Sequence, residues 1–313
     1  MKCLLCNTEI TNPEYICEKE SLVKLWKPII DVTKEISKEK IFLYQCKSCS
    51  LNFFDPELAG GNEFYSELGK LDWYYLHPGK TEYDFVQNYI KEDDNLLDIG
   101  SGRGELYNRT KKRINYTGLE LSTKAAELAK EAGINVKNED LLIHSKANKE
   151  KYDIVTLFQV LEHLTELNNF ITAIHNCLKK DGLFVIAVPN NDGFISYTPD
   201  YVFNLPPHHT ILWKKSSLVQ LAKKFNFEIV TIEAELLQDV HKQHAYDAYK
   251  EKVLKRLSFI PIPLINKNIG IPGLPLRILR RISNISVINK LFNKMAIRNV
   301  KIGQSIIVVL RKK

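Results

Sequence analysis

Cys3-x-x-Cys6 and Cys46-x-x-Cys49 place four thiols in two knuckles near the start of the chain. Four thiolates complete a tetrahedral zinc site with no vacant position, so the spacing predicts a structural metal rather than a catalytic one. Residues 44–51, Tyr-Gln-Cys-Lys-Ser-Cys-Ser-Leu, read as strand, knuckle and strand. The stretch between Cys6 and Cys46 is longer than in the shortest zinc ribbons, and residues 21–38 are expected to loop out of the module. Cys17 and Cys177 read as ordinary unpaired thiols.

The second chemistry-bearing stretch is Asp98-Ile99-Gly100-Ser101-Gly102-Arg103-Gly104. A glycine-rich turn between a strand and a helix lets backbone N–H groups approach a polar ligand, and the helix N-terminus adds a favourable dipole. The dinucleotide fingerprint needs glycine or alanine where Glu105 stands, so a pyrophosphate reading fails there. Glu120 follows at the end of the next strand, where a carboxylate can accept both ribose hydroxyls of a nucleoside. Asp140 is placed to meet an adenine amino group, with Leu141 beside the ring.

These residues need a parallel sheet to hold them, and strand and helix signals do alternate from about Tyr83 onward. Strands are expected at 95–100, 116–121, 152–158, 182–188, 227–233 and 305–310, and helices at 105–112, 123–132, 167–178 and 216–224. Residues 259–275 carry four prolines and two glycines and cannot form one continuous helix. From Arg277, Ile278, Ile282, Ile285, Ile288, Phe292 and Met295 recur at helical spacing between basic residues, predicting one amphipathic basic helix.

Over residues 95–188 the chain resembles the class I S-adenosylmethionine-dependent methyltransferases, and the expected fold is α/β: a Rossmann-like seven-stranded sheet with an N-terminal zinc-ribbon-like module and a helical insertion before the last strand. The resemblance implies S-adenosylmethionine as cofactor, held by Asp98, Gly100, Ser101, Gly102, Gly104, Glu120, Asp140 and Leu141, with Phe158 and Gln159 lining the methyl donor. Methyl transfer from a sulfonium is an in-line displacement, and a hydroxyl acceptor must also lose a proton. The base candidates are His163, in Val160-Leu161-Glu162-His163, and His208 or His209, in Pro206-Pro207-His208-His209. The first stretch resembles ubiquinone-biosynthesis-type enzymes, some of which use a metal held by Glu-x-x-Glu-His. Here Gln159 replaces the first carboxylate, and a neutral ligand disfavours a hard cation. Four N-terminal cysteines ahead of such a core resemble the sugar C-methyltransferases, in which the module helps enclose the acceptor. The aromatic residues Phe64, Tyr65, Trp73, Tyr74 and Tyr75 suit a lid, a stacking surface or docking against the core.

With 313 residues, 44% of them hydrophobic, the chain can bury one full core and a smaller module. The division expected is 1–60 for the zinc module, 61–94 for a linker or lid, 95–240 for the catalytic core, 241–303 for the insertion and 304–313 for the last strand. No apolar stretch has signal-peptide length or approaches the roughly 18 residues of a spanning helix, so the expected location is cytoplasmic, peripheral at the inner membrane face. Between His241 and Lys301 stand thirteen Lys or Arg against Asp247 and Glu251, a local charge of +11. This amphipathic segment suits an anionic membrane surface or diphosphate-linked sugars, and a helical cap with lysines in water is the plain alternative. The leading expectation is methylation of a sugar, free, nucleotide- or lipid-linked, in cell-envelope glycan synthesis, with quinone or other small-molecule O-methylation as the alternative. A nucleic-acid methyltransferase is a third class. Nucleic acid is not the expected partner, because Phe158-Gln159-Val160-Leu161 stands where base-methylating enzymes carry an Asn-Pro-Pro-Tyr-type loop.

Overall fold

The apolar runs read as buried strands are strands in a computed structural model, which describes residues 1–71, 81–257 and 274–313, apart from the side chains of 274, 275 and 277. Trp73, Tyr74, Tyr75 and the connector at 259–273 lie outside the described residues. First come β1 (Tyr15–Glu18), α1 (Lys19–Trp26), β2 (Lys40–Gln45), β3 (Asn52–Asp55), α2 (Asn62–Leu68) and α3 (Thr81–Val86). The alternating part runs β4 (Asn95–Ile99), α4 (Glu105–Arg109), β5 (Asn115–Leu119), α5 (Thr123–Glu131), β6 (Val136–Lys137), α6 (Leu141–Ala147), β7 (Tyr152–Phe158), α7 (Leu167–Cys177) and β8 (Leu178–Pro189). It is followed by β9 (Ile211–Leu212), α8 (Lys215–Lys224), β10 (Phe227–Leu236), α9 (Lys242–Leu257), α10 (Leu274–Ser283), α11 (Ser286–Asn299) and β11 (Ile302–Lys312).

Seven strands form one sheet in the order β10-β11-β8-β7-β4-β5-β6. Strands β6, β5, β4, β7 and β8 run parallel, whereas β11 is antiparallel to both of its neighbours, β8 and β10. Successive strand residues point to opposite faces, and here they feed two separate cores. Leu97, Val155, Phe184 and Val308 enter the cluster that also holds Ile171, Leu218 and Leu221. Leu96, Ile154, Val185 and Val309 enter the one that holds Val86, Ala126 and Ala129. Burial on both faces is why these strands read as continuous apolar runs rather than as alternation.

The N-terminal module has its own four-stranded antiparallel sheet, in the order β1-β2-β3-β9. Residues 21–38 do not loop out, contrary to expectation. Leu22, Trp26, Val32 and Ile36 are fully buried and form the module's core with Leu43, Phe54 and Phe64. The lysines interspersed through this stretch disguise its apolar positions in the sequence. Strand β9 comes from the loop after β8, so the core lends a strand to the module. Trp26 reinforces the junction by donating its indole N–H to Pro206 O at 2.9 Å and packing edge-on against Phe64 and Phe203.

The insertion lies between β10 and β11 as expected, but the basic segment after residue 277 is two helices rather than one. Helix α10 stops at Ser283, whose hydroxyl donates to Arg280 O, and Asn284 takes the next turn. Helix α9 is tied to the core through buried Ala245 and Ala248 against Phe194 and Ile195, and to α10 by an Arg280–Glu251 ion pair. Ile278, Ile282, Val287 and Leu291 are exposed.

Trp26→Ala should cost about 3–5 kcal/mol, the usual range for emptying a buried tryptophan site, and lower the urea midpoint accordingly. An unchanged midpoint would show that module and loop are held together by something else.

Candidate cofactor and acceptor site

The glycine turn leaves the end of β4 in a conformation that side chains resist. Gly100 and Gly104 have φ of +73° and +79°. A Cβ on Gly100 would lie 2.5 Å from Val160 Cγ2, and one on Gly104 would lie 2.7 Å from Ile134 Cγ2. Both positions therefore exclude larger residues by shape as well as by torsion. Gly102 donates its N–H to Glu120 Oε2 at 2.9 Å, and Ser122 N–H donates to Oε1 at 2.7 Å. Glu120 is thus oriented beside the turn by two backbone donors, at the end of β5, where its partly exposed carboxylate can meet a ribose. Ser101 is buried, with its N–H on Leu119 O.

Asp98 departs from the expected role. Its carboxylate is buried and accepts from the Tyr116 hydroxyl at 2.9 Å and the Thr156 hydroxyl at 2.7 Å, bracing β4 against β5 and β7. Burial and the Asp98 charge raise the Tyr116 hydroxyl far above the ordinary phenol range, which keeps it a donor. Asp98 consequently supports the turn from within the sheet rather than facing a ligand. Asp140 caps α6 by accepting from Leu142 N–H at 2.7 Å, and Leu141 is buried behind it. Phe158 is buried against Tyr83, their rings 5.7 Å apart. Gln159 adopts a φ of +55° and donates from its amide to Ser305 Oγ at 3.2 Å.

The three histidines singled out in the sequence meet just beyond β7. One ring nitrogen from each of His163, His208 and His209 lies within 4.8 Å of the others. Glu162 is buried beside them, its Oε1 3.8 Å from His163 Nε2 and 4.0 Å from His209 Nε2. Burial, with Glu82 nearby, pushes the Glu162 carboxyl up to about 8. Burial pulls His163 down to about 4 and holds His208 and His209 well below the usual imidazole range, so all three are neutral at physiological pH. His163 alone of the three is partly exposed. Each ring is fixed through Nδ1: His163 donates to His208 O, His208 to Phe203 O at 2.8 Å, and His209 to Asn204 Oδ1 at 3.1 Å. Asn204 is oriented in turn by donating to Asn191 Oδ1 at 2.7 Å.

Sequence reasoning missed Tyr65, Glu82 and Asn204 as members of this site. The Tyr65 hydroxyl, from α2 of the module, lies 3.0 Å from His163 Nδ1. Its membership in an aromatic stretch was the available signal, whereas Glu82 and Asn204 sit in no motif. Neighbouring Phe64 docks into the module core instead.

The four cysteines also converge, with Sγ atoms within 4.8 Å of one another and the Cys3–Cys49 and Cys6–Cys46 pairs at 3.5 Å. Two 2.3 Å zinc–sulfur bonds at a tetrahedral angle span roughly 3.8 Å, so the residues fit the ion. The knuckles match in backbone form: Asn7 N–H donates to Cys3 O and Ser50 N–H to Cys46 O, with φ of 60° and 61° at Asn7 and Ser50. Cys17 and Cys177 are buried elsewhere, their thiols pushed up by burial to about 12 and about 11.

A five-strand parallel run closed by an antiparallel strand, with a glycine turn after its central strand and a carboxylate after the next, defines a class I S-adenosylmethionine-dependent methyltransferase domain. Residues 79–232 match a family model described as a methyltransferase domain. An uncharacterized protein of Methanocaldococcus jannaschii is 30% identical over 154 residues, covering 46% of this chain and 58% of its own length. The ubiquinone biosynthesis O-methyltransferase of Pelagibacter ubique is 29% identical over 150 residues, 43% of this chain and 61% of that protein. Its counterpart from Marinobacter nauticus is 32% identical over 146 residues, 41% and 61% respectively. The chain thus spans about three fifths of the length of these relatives.

Glu120→Ala should weaken S-adenosylmethionine binding by at least about tenfold, since one hydrogen bond to a charged group contributes roughly 1.5–3 kcal/mol. Calorimetry on the variant provides the measurement, and undiminished affinity would exclude Glu120 as the ribose ligand.

Proposed function

We propose that this protein transfers the methyl group of S-adenosylmethionine to a hydroxyl of a small-molecule acceptor, of the phenolic kind that a quinone-type O-methyltransferase takes. The observation that carries the proposal is the gathering of Glu162, His163, His208 and His209 beside the cofactor turn. Val160, between β7 and this cluster, packs close over Gly100 and so couples the two halves of the site. In the reaction the acceptor oxygen attacks the methyl carbon, the carbon–sulfur bond breaks with its electron pair going to sulfur, and the hydroxyl proton leaves. His163, His208 and His209 handle that proton, with His163 foremost because it is open to solvent. Cys3, Cys6, Cys46 and Cys49 hold a structural zinc ion that keeps the module folded against the acceptor side.

Sugar C-methylation is the second reading. The placement of Tyr65, a module residue, against His163 favours it, because it puts the module in the acceptor wall. Incubation with labelled S-adenosylmethionine and either phenolic quinone precursors or a nucleotide-sugar pool, followed by mass analysis of the product, separates the two. A methyl ether on the phenol is expected, and a methyl on a sugar carbon would overturn the hydroxyl reading.

The insertion gives the enzyme its place of work in this proposal. Ile278, Ile282, Val287 and Leu291 are exposed on helices that also carry Arg281, Lys290, Lys294 and Arg298, a combination suited to the interface of an anionic membrane. No described helix is long and apolar enough to cross one. The protein should therefore float with phosphatidylserine-containing vesicles at low salt and detach as salt rises. Absence of binding at low salt would remove the membrane from the proposal.

A further inference from the structure

The hydrogen-bond pattern of the three histidines is more specific than acid–base chemistry requires. A neutral imidazole that donates from Nδ1 to a carbonyl keeps its lone pair on Nε2. All three rings are arranged in this way, on His208 O, Phe203 O and Asn204 Oδ1. Histidines that ligate metals are held like this, by a carbonyl or carboxylate on the nitrogen away from the ion. Glu162 supplies a fourth donor from beside two of those Nε2 atoms. Its Oε2 is buried and has no hydrogen-bond partner among the described residues, a costly state for an acceptor unless something else meets it.

The geometry points to a divalent transition-metal site formed by His163, His208, His209 and Glu162, separate from the cysteine cluster. Three imidazoles and one carboxylate suit zinc, iron(II), cobalt or nickel, not the hard magnesium ion that a carboxylate-rich site prefers. Gln159, which bonds to Ser305, takes no part. Two bonds of about 2.1 Å at a tetrahedral angle span roughly 3.4 Å. The present separations of 3.8 and 4.0 Å, and up to 4.8 Å among the rings, mean that the ion draws the side chains together on binding. Because His163 lies at the exposed rim, the coordination position left for an acceptor oxygen is on its side. A hydroxyl bound there loses its proton to solvent more readily, as water does on a bound zinc ion. That role rests on the methyl-transfer reading, whereas the binding of the ion does not.

Cobalt(II) chloride added to the full-length protein with zinc retained on its cysteines tests the site without any acceptor. One cobalt per chain is expected, with visible d–d bands and none of the intense near-ultraviolet sulfur-to-cobalt charge transfer that a thiolate site gives. His163→Ala, a change at the rim, should weaken cobalt binding by on the order of a hundredfold while S-adenosylmethionine affinity stays intact. Asn204→Ala, which frees the His209 ring, should weaken it by about 10–100-fold. Absence of wild-type uptake beyond the cysteine site would overturn the inference, as would full cobalt affinity in His163→Ala. If either variant loses S-adenosylmethionine binding through misfolding, the wild-type stoichiometry and spectrum decide alone.

Discussion

Thr210 is the point on which this architecture converges. It is fully buried, its N–H donates to Glu162 O at 2.9 Å, its hydroxyl donates to Leu164 O at 3.0 Å, and its carbonyl accepts from Phe54 N–H at 2.9 Å. One residue thereby joins the segment after β7, the loop after β8 and the module's strand β3. Buried backbone groups must be paired, so none of the three segments can move without leaving the others unsatisfied. His208 and His209 precede this rivet and His163 follows the carbonyl it binds. The spacing of the histidine cluster is therefore set by main-chain pairing, which is stiffer than side-chain contacts alone.

The same constraint explains the contribution of the cysteine module to the site. Its knuckles pack in one apolar cluster with Leu161 and Trp213, and α2 brings Tyr65 to the histidines. A metal-stapled module is a rigid support, and rigid support keeps catalytic side chains near productive geometry. At the opposite end of the pocket, the glycine turn is held by Asp98 from below and by Glu120 from the side. Both halves of the site thus sit on elements whose polar groups are satisfied within the protein.

How much of this was legible in the sequence depended on whether the signal was local. Strand β7 was expected at 152–158 and lies there, because a continuous Val/Ile/Leu run buried on both faces needs no partner to be recognised. The glycine turn and the paired cysteines were legible for the same reason, since each compresses its function into a few adjacent residues. Strands β6 and β9 were not, because two residues become a strand only through a distant neighbour, Phe53 in the case of Ile211. The histidines could be named one by one, but their meeting depends on the loop that Thr210 anchors. Asn204 and Glu82 carry no local mark at all, and the break between α10 and α11 falls at Ser-Asn, without the proline or glycine that usually announces one.

Strands β10 and β11 pair antiparallel with Leu236 opposite Ile302, so the insertion leaves and rejoins the sheet at a single point on one edge. Such an appendage is closed on itself like a large hairpin tip. Its length and chemistry can drift, or be exchanged wholesale during evolution, while the ladder beneath keeps its register. Destination and chemistry are thus free to diversify independently within one polypeptide.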